Sequence, residues 1–319
     1  MPAIPLILIV GVATGNIVEA AVAAGAAFTV GFGAARDLRG RRWGAMLAAV
    51  FGTTLAAFIG SSLGNLFPVF LLLAALSAAT CAALALLDED MWWVMLQVVI
   101  ALLISGYYAG PPAAAAGRAF AVLVGGTVQM ACVVVLAWLA PRAGARLPGA
   151  AASYEPDRKL LLSHMLRAAI CVTLALGAAR ALGLANSYWA PMTAMIVLKP
   201  GLHETQVRGM ARLAGTITGC IAATLYAVGV GYSQPLLIAG VALTAGSAFA
   251  LQKAHYGTLT CAITATVVLL LSLGHGGILA NVEHRLIETV LGGVIALGVA
   301  RIAPHRPLAE RAGTDRVGS

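Results

Sequence analysis

Apolar runs of about 20 residues recur along the whole chain, cut by short clusters of glycine, proline or charge. Taking each run bounded by turn residues or charges as one helix predicts twelve. The first six are 3–16, 18–35, 43–61, 66–86, 91–108 and 115–140; the second six are 160–182, 187–199, 208–231, 234–251, 255–273 and 283–303. The first and eighth are short against roughly 30 Å of hydrocarbon, and such helices persist in a bilayer only where protein or a water-filled cavity covers their ends. The eighth opens the most broken stretch, SYWAPMTAMIVLKPGLHETQVRGMARLAGTITG from Ser187 to Gly219. Pro191 and Pro200 bracket that helix, where lost backbone pairing leaves carbonyls free for ligand or water. The stretch is expected to build two short helices and a basic turn lining a path through a membrane.

Composition removes the soluble alternative. The chain is 61% hydrophobic and 10% charged, against roughly 25% charged in soluble domains, and its mean hydropathy is +0.93. The fold expected is all-α, a polytopic membrane protein whose first partner is the lipid bilayer, with about 12 transmembrane helices. The net charge of +8 marks no nucleic-acid face, because the basic residues are dispersed among short turns without interleaved aromatics. It reports topology instead, since cytoplasmic loops retain Lys and Arg. With a cytoplasmic N-terminus, all of the 20 basic residues except Arg118, Arg180 and Arg285 fall in inner turns or tails, and the C-terminus is cytoplasmic too. The acidic turn at Asp88, Glu89 and Asp90 weighs little in that rule. The opening MPAIPLILIVGVATG has no basic residue ahead of its apolar run, so a cleaved signal peptide is not expected. Cys81, Cys132, Cys171, Cys220 and Cys261 sit in apolar runs with no CxxC and no His at ligand spacing; they read as packing residues, giving neither disulfide nor metal site.

Three segments share Arg, six residues, then Gly: Arg118 to Gly125, Arg212 to Gly219, and Arg285 to Gly292. Each opens a helix rich in small residues, and such glycines let neighbouring helices approach closely. An aromatic residue and a threonine also recur four apart, as Trp189 with Thr193 and Tyr256 with Thr260, a spacing that puts ring and hydroxyl on one helix face. The charge pattern gives the copies opposite orientations. The organisation predicted is a six-helix half over 1–140, a cytoplasmic linker over 141–159, a second six-helix half over 160–303 and a cytoplasmic tail over 304–319, each half divisible into two inverted three-helix units.

Tyr188-Trp189-Ala190, Thr193 in the next turn, a Pro-bounded basic turn, then Arg212-x-x-Gly215-Thr216 with Gly219 four residues after the first glycine carry a resemblance. The chain resembles the fusaric acid resistance and aromatic acid exporter family, the FUSC-like membrane proteins, best over 160–303 and in layout alone over 1–140. The resemblance implies a bacterial inner-membrane exporter of aromatic carboxylic acids or similar organic anions, in a superfamily that also contains plant malate channels. Many relatives carry a large soluble domain, whereas the linker over 141–159 is short. A second copy of the chain or a periplasmic adaptor are the protein partners such a role admits.

Moving an aromatic carboxylate needs a compensating charge, a flat apolar surface for the ring, and a driving force. Arg118, Arg212 and Arg285 offer forked donors that match a carboxylate bidentately, near helix N-termini whose dipoles favour anions. The competing reading is an interfacial arginine that anchors a helix end. Trp189 and Tyr256, with Thr193, Thr260 and Thr264, supply stacking and hydrogen bonding; the competing reading is an aromatic membrane belt, the reading given to Trp92 and Trp93 beside Asp90. Of the 12 carboxylates, Glu19 and Glu288 alone lie within helical apolar sequence. Glu288 follows Arg285 by three residues and reads first as its ion-pair partner, while Glu19 has no local basic partner and leads as the proton-coupling candidate, with Glu288 second. His164, His203, His255 and His275 stand alone at helix edges and read as structural or solvated. No nucleophile elbow, phosphate-cradling loop, cofactor motif or metal signature occurs, so neither an enzyme nor a nucleotide-driven pump is expected. The function expected is proton-coupled secondary export of organic anions; a passive organic-anion channel and a non-transporting scaffold subunit are the alternatives.

Overall fold

The computed structural model describes residues 2–139, 157–274 and 278–302. Residues 141–156 of the linker predicted over 141–159, the tail over 304–319 and His275 lie outside the described residues, and α7 already begins at Arg158. Twelve helices are found among those described. They are α1 (Ala3–Ala13), α2 (Ile17–Gly31), α3 (Gly44–Leu63), α4 (Phe67–Leu87), α5 (Glu89–Tyr107), α6 (Pro112–Leu139), α7 (Arg158–Ala181), α8 (Trp189–Val197), α9 (Leu202–Gly229), α10 (Gln234–Ala250), α11 (Tyr256–Gly274) and α12 (Ile278–Ile302). Eight of them are long and apolar enough to cross a membrane, the exceptions being α1, α8, α10 and α12. Phe51, Leu72, Phe120, Leu243 and Val294 stand exposed on the outside of the bundle. In water that surface would be costly; in hydrocarbon it is the expected lining. The chain is a multi-pass membrane protein.

Local chemistry sets the ends. Gly15 (φ 74°) and Gly183 (φ 63°) adopt the left-handed conformation after α1 and α7. The following amides return to carbonyls five residues back, Asn16 to Gly11 at 2.8 Å and Leu184 to Ala179 at 3.0 Å, which closes both helices in the same way. Asp88 caps α5, its carboxylate accepting from the amides of Asp90 and Met91 at 3.0 Å.

The broken stretch differs from the expected pair of short helices. Only Leu198–Gly201 is a turn; α9 starts at Leu202 and runs for 28 residues, carrying Arg208 and Arg212 on the helix itself. No breaker follows Gly201, and Thr205 stabilises the start: its hydroxyl donates to the Gly201 carbonyl at 2.7 Å and accepts from the Lys199 amide at 3.0 Å. Pro191 is the third residue of α8, where an amide would have had no intrahelical acceptor, so it frees no carbonyl.

The packing partners of the first six helices recur in the second six. Helix α1 packs on α2, α2 on α6, α3 on α5 and α6, and α4 on α5; likewise α7 packs on α8, α8 on α12, α9 on α11 and α12, and α10 on α11. Two seams join the sets, α4 against α7 and α1 against α10, with α2 facing α11 and α5 facing α8 between them. Small residues make the close crossings: Gly125 of α6 presses on the Ala23 carbonyl of α2, and Gly292 of α12 on the Ala190 carbonyl of α8.

Candidate functional site

Helices α2, α5, α8 and α11 each turn one face toward a shared cavity of about 870 Å³, a size at the upper end of the roughly 300–1,000 Å³ of small-molecule sites. The lining positions follow helical spacing: Trp189, Met192 and Ile196 on α8, and Tyr256, Leu259, Ile263 and Val267 on α11. Its middle is apolar. Six cations line it, Arg36, Arg118, Lys199, Arg208, Arg212 and Arg285, against one carboxylate, Glu89.

At one end Arg36 is neutralised by Asp90 at 3.2 Å and Glu89 at 3.6 Å, and its guanidinium lies 5.6 Å from the Trp93 ring. Lys199 stands 5.5 Å above Trp92, and Arg208 lies 3.8 Å over the Tyr256 ring, oriented by an Nε–H bond to the Ile196 carbonyl at 3.2 Å. Lys199 sits in the turn after α8, where burial, and next the charge of Arg208, push its pKa down to about 8. Further along, Arg212 is 5% exposed and close enough to Arg285 for the two charges to repel.

Arg285 is the least expected group. It is 2% exposed, lies 3.7 Å over the Trp189 ring and reaches Thr264 Oγ1 through Nη2 at 3.5 Å, while Nε and Nη1 have no protein acceptor. Burying a charge costs several kcal/mol even after relaxation, and a desolvated cation–π contact returns about 2 kcal/mol. Two of its donor nitrogens thus stay without an acceptor among the described residues. Tyr188 packs on Trp189 with ring centroids 4.8 Å apart, and Arg118 lies 4.9 Å over Tyr108 beside it.

The expected ion pair between Arg285 and Glu288 does not form. Glu288 is fully buried and turns to α8 instead, where Oε2 accepts from the Trp189 amide at 3.0 Å. Helix α8 has no capping side chain of its own, so a carboxylate from α12 stands at its N-terminal dipole. Glu19 is exposed in the first turn of α2 and does not line the cavity, although its neighbours Val18, Ala21 and Val22 do. A carboxylate in the first turn is favoured there by the helix dipole alone. Thr193 and Thr260 also lie outside the cavity lining. Four residues advance the helix by slightly more than one turn, which takes them from the ring's face to the crossing, where Thr260 meets Gly215 and Thr193 meets Gly292. Trp189, Tyr256, Arg118, Arg212 and Arg285 do line the cavity.

Trp92 and Trp93, read from sequence as belt residues, line the cavity as well, with Trp93 only 5% exposed. Arg208 was visible in sequence as a further Arg, six residues, Gly, running to Gly215, and the structure pairs it, rather than Arg212, with Tyr256. Arg285 and Gly292 meet Trp189, the Ala190 carbonyl and Thr193; Arg208 and Gly215 meet Tyr256, the Gly257 carbonyl and Thr260. The two sites share one register, residue for residue.

That second register lies inside the part of the chain that relatives share. Residues 174–299 match the family described as fusaric acid resistance protein-like. The matched segment thus runs from within α7 into the last turn of α12 and holds α8, Arg208, Arg212 and Arg285. Uncharacterized protein YhfK of Escherichia coli (strain K12) is 30% identical over 149 residues, 46% of this chain and 21% of that protein. Uncharacterized protein ORF2 of Neisseria gonorrhoeae is 30% identical over 140 residues, 42% of this chain and 32% of that protein. The chain therefore spans a fifth to a third of the length of these relatives. No solved structure gives a significant match.

Proposed function

We propose that the protein is a secondary transporter that exports aromatic carboxylic acids or similar organic anions across the bacterial inner membrane, with both termini cytoplasmic. One observation carries this reading: a buried guanidinium, Arg285, stacked on Trp189 in a cavity with a large excess of cations, its Nε and Nη1 lacking protein acceptors. A carboxylate would take those donors bidentately, and the ligand's ring would find Trp189 and Tyr188 beside it. The match to fusaric acid resistance protein-like sequences supports an organic acid as cargo.

For the driving force, Glu288 is the remaining candidate: neither it nor Glu19 lines the cavity, but Glu288 is fully buried whereas Glu19 is exposed in the first turn of α2. Its Oε1 has no partner, and it lies one helical turn from Arg285. A passive anion channel is the second reading, favoured by the run of cations along the cavity with Glu89 as the one lining carboxylate.

Proteoliposomes loaded with benzoate decide between them. Under an imposed pH difference, and after subtracting what protein-free liposomes accumulate by permeation of the neutral acid, a coupled exporter moves labelled benzoate uphill, whereas a channel only dissipates its gradient. Arg285→Ala should reduce flux at least tenfold, the effect of losing about 1.4 kcal/mol of ligand interaction. Wild-type flux no greater than that of protein-free liposomes would overturn both readings and leave a scaffold role, and wild-type flux unchanged in Arg285→Ala would remove Arg285 from the transport path.

A further inference from the structure

We propose that the same chain carries a second anion seat, Arg208 over Tyr256, so that two organic monocarboxylates occupy the cavity in series. The inference rests on the reading of Arg285 and Trp189 as an anion seat. It follows from the shared register: a guanidinium over an aromatic ring, a glycine seven residues on, the carbonyl next to the ring residue under that glycine, and a threonine at the crossing. A Cβ at Gly215 would meet Thr260 Cβ at 2.7 Å, and one at Gly292 would meet Thr193 Cβ at 2.9 Å, so the two crossings are equally tight.

The second site has ligand chemistry of its own. The Arg208 Nε–H bond to the Ile196 carbonyl fixes the guanidinium over the ring and leaves its terminal nitrogens to an incoming carboxylate. The Tyr256 hydroxyl is buried without a partner, in a side chain that lines the cavity, and offers a further donor. Lys199 adds positive charge at the same end, whereas Arg36 is already neutralised by Glu89 and Asp90.

The spacing permits both seats to fill. Arg285 lies at the level of Thr264 on α11 and Arg208 at the level of Tyr256, eight residues away, or about 12 Å along a helix axis. Two monovalent anions at that separation weaken each other's binding by about tenfold at an effective dielectric constant of about 20. Arg212, about one turn beyond Arg208 on α9 and near enough to Arg285 for their charges to repel, offsets part of this.

Equilibrium dialysis of the purified full chain in lipid nanodiscs against radiolabelled benzoate tests it. The wild type should bind two benzoates per chain. Arg208→Ala and Tyr256→Leu should each retain one, at the affinity of the Arg285 seat, and Arg285→Ala should retain the other. Arg208→Lys, which keeps the charge and loses the fork, should weaken the second binding step less than Arg208→Ala. Acetate at matched concentration should displace neither ligand, because it has no ring to stack. A wild-type stoichiometry of one, unchanged in Arg208→Ala, would overturn the second seat and leave the first. Loss of all binding in Arg208→Ala with an unaltered melting temperature would also overturn it, by showing a single shared site. No binding to the wild type would overturn the first seat as well.

Discussion

At the residue scale, the decisive feature is how Arg285 and Glu288 divide. Standing one turn apart on α12, they would in water form a surface pair worth a few tenths of a kcal/mol. In the folded protein each takes a different partner, Arg285 the Trp189 ring and Glu288 the Trp189 amide, so both ends of one residue are held by one helix. Glu288→Gln keeps an oxygen acceptor at the amide and should retain fold and downhill benzoate flux, while losing pH-driven accumulation if Glu288 carries the proton. Glu288→Ala removes the carboxylate from the α8 N-terminus, leaves the Trp189 amide only its bond to the Asn186 carbonyl at 3.0 Å and should cost about 1 kcal/mol, read as a lowered melting temperature. Equal uphill transport by wild type and Glu288→Gln would assign the coupling elsewhere.

At the element scale, α8 is too short to span a bilayer, and its surroundings keep it in place. Gly292 seats it on α12, and Glu288 caps it. Gly292→Val would drive a branched side chain into the Ala190 carbonyl and Thr193, an overpacking that costs about 1–3 kcal/mol or more. The neighbouring Gly293 has open space around its would-be Cβ, so Gly293→Ala should melt as the wild type does or slightly higher. Thermal unfolding of the two variants in the same detergent checks the difference. That the recurring glycines serve close helix crossings was legible in sequence, because small residues at fixed intervals let helices approach; that Gly292 meets α8 was not. The start of α9 was not. The polar run from His203 to Arg208 looks like a turn until Thr205 and the helix dipole are seen to stabilise it as helix.

At the scale of the whole molecule, the cavity brings together residues from both ends of the chain, from Val18 to Arg285. Its Lys199 end should respond to pH. Burial first, then the charge of Arg208, lower the Lys199 pKa to about 8, while Glu204, Cys81 and Glu89 act in the opposite direction. The ammonium is therefore present below about 8 and lost above it, so benzoate affinity at that end should fall as pH rises through 8. Lys199→Arg should flatten the profile, because a guanidinium stays protonated across that range. Dialysis across a pH series centred on 8 measures it; a wild-type profile without an inflection there would remove Lys199 from the binding end.

The sequence by itself determined that the chain lives in lipid, that it is built of about twelve apolar helices, and that ring, threonine, arginine and glycine recur at set spacings. Those properties depend on composition and on neighbours within a few turns, which the linear order contains. Only the tertiary structure decided which member of each motif does what. It put Trp189 and Tyr256 on the cavity and their threonines at helix crossings, paired Arg208 with Tyr256, gave Glu288 to the α8 amide, and left Glu19 outside. The reason is geometric: a side chain's role depends on what faces it across a helix interface, and residues 99 positions apart, such as Trp189 and Glu288, become neighbours only when the bundle closes.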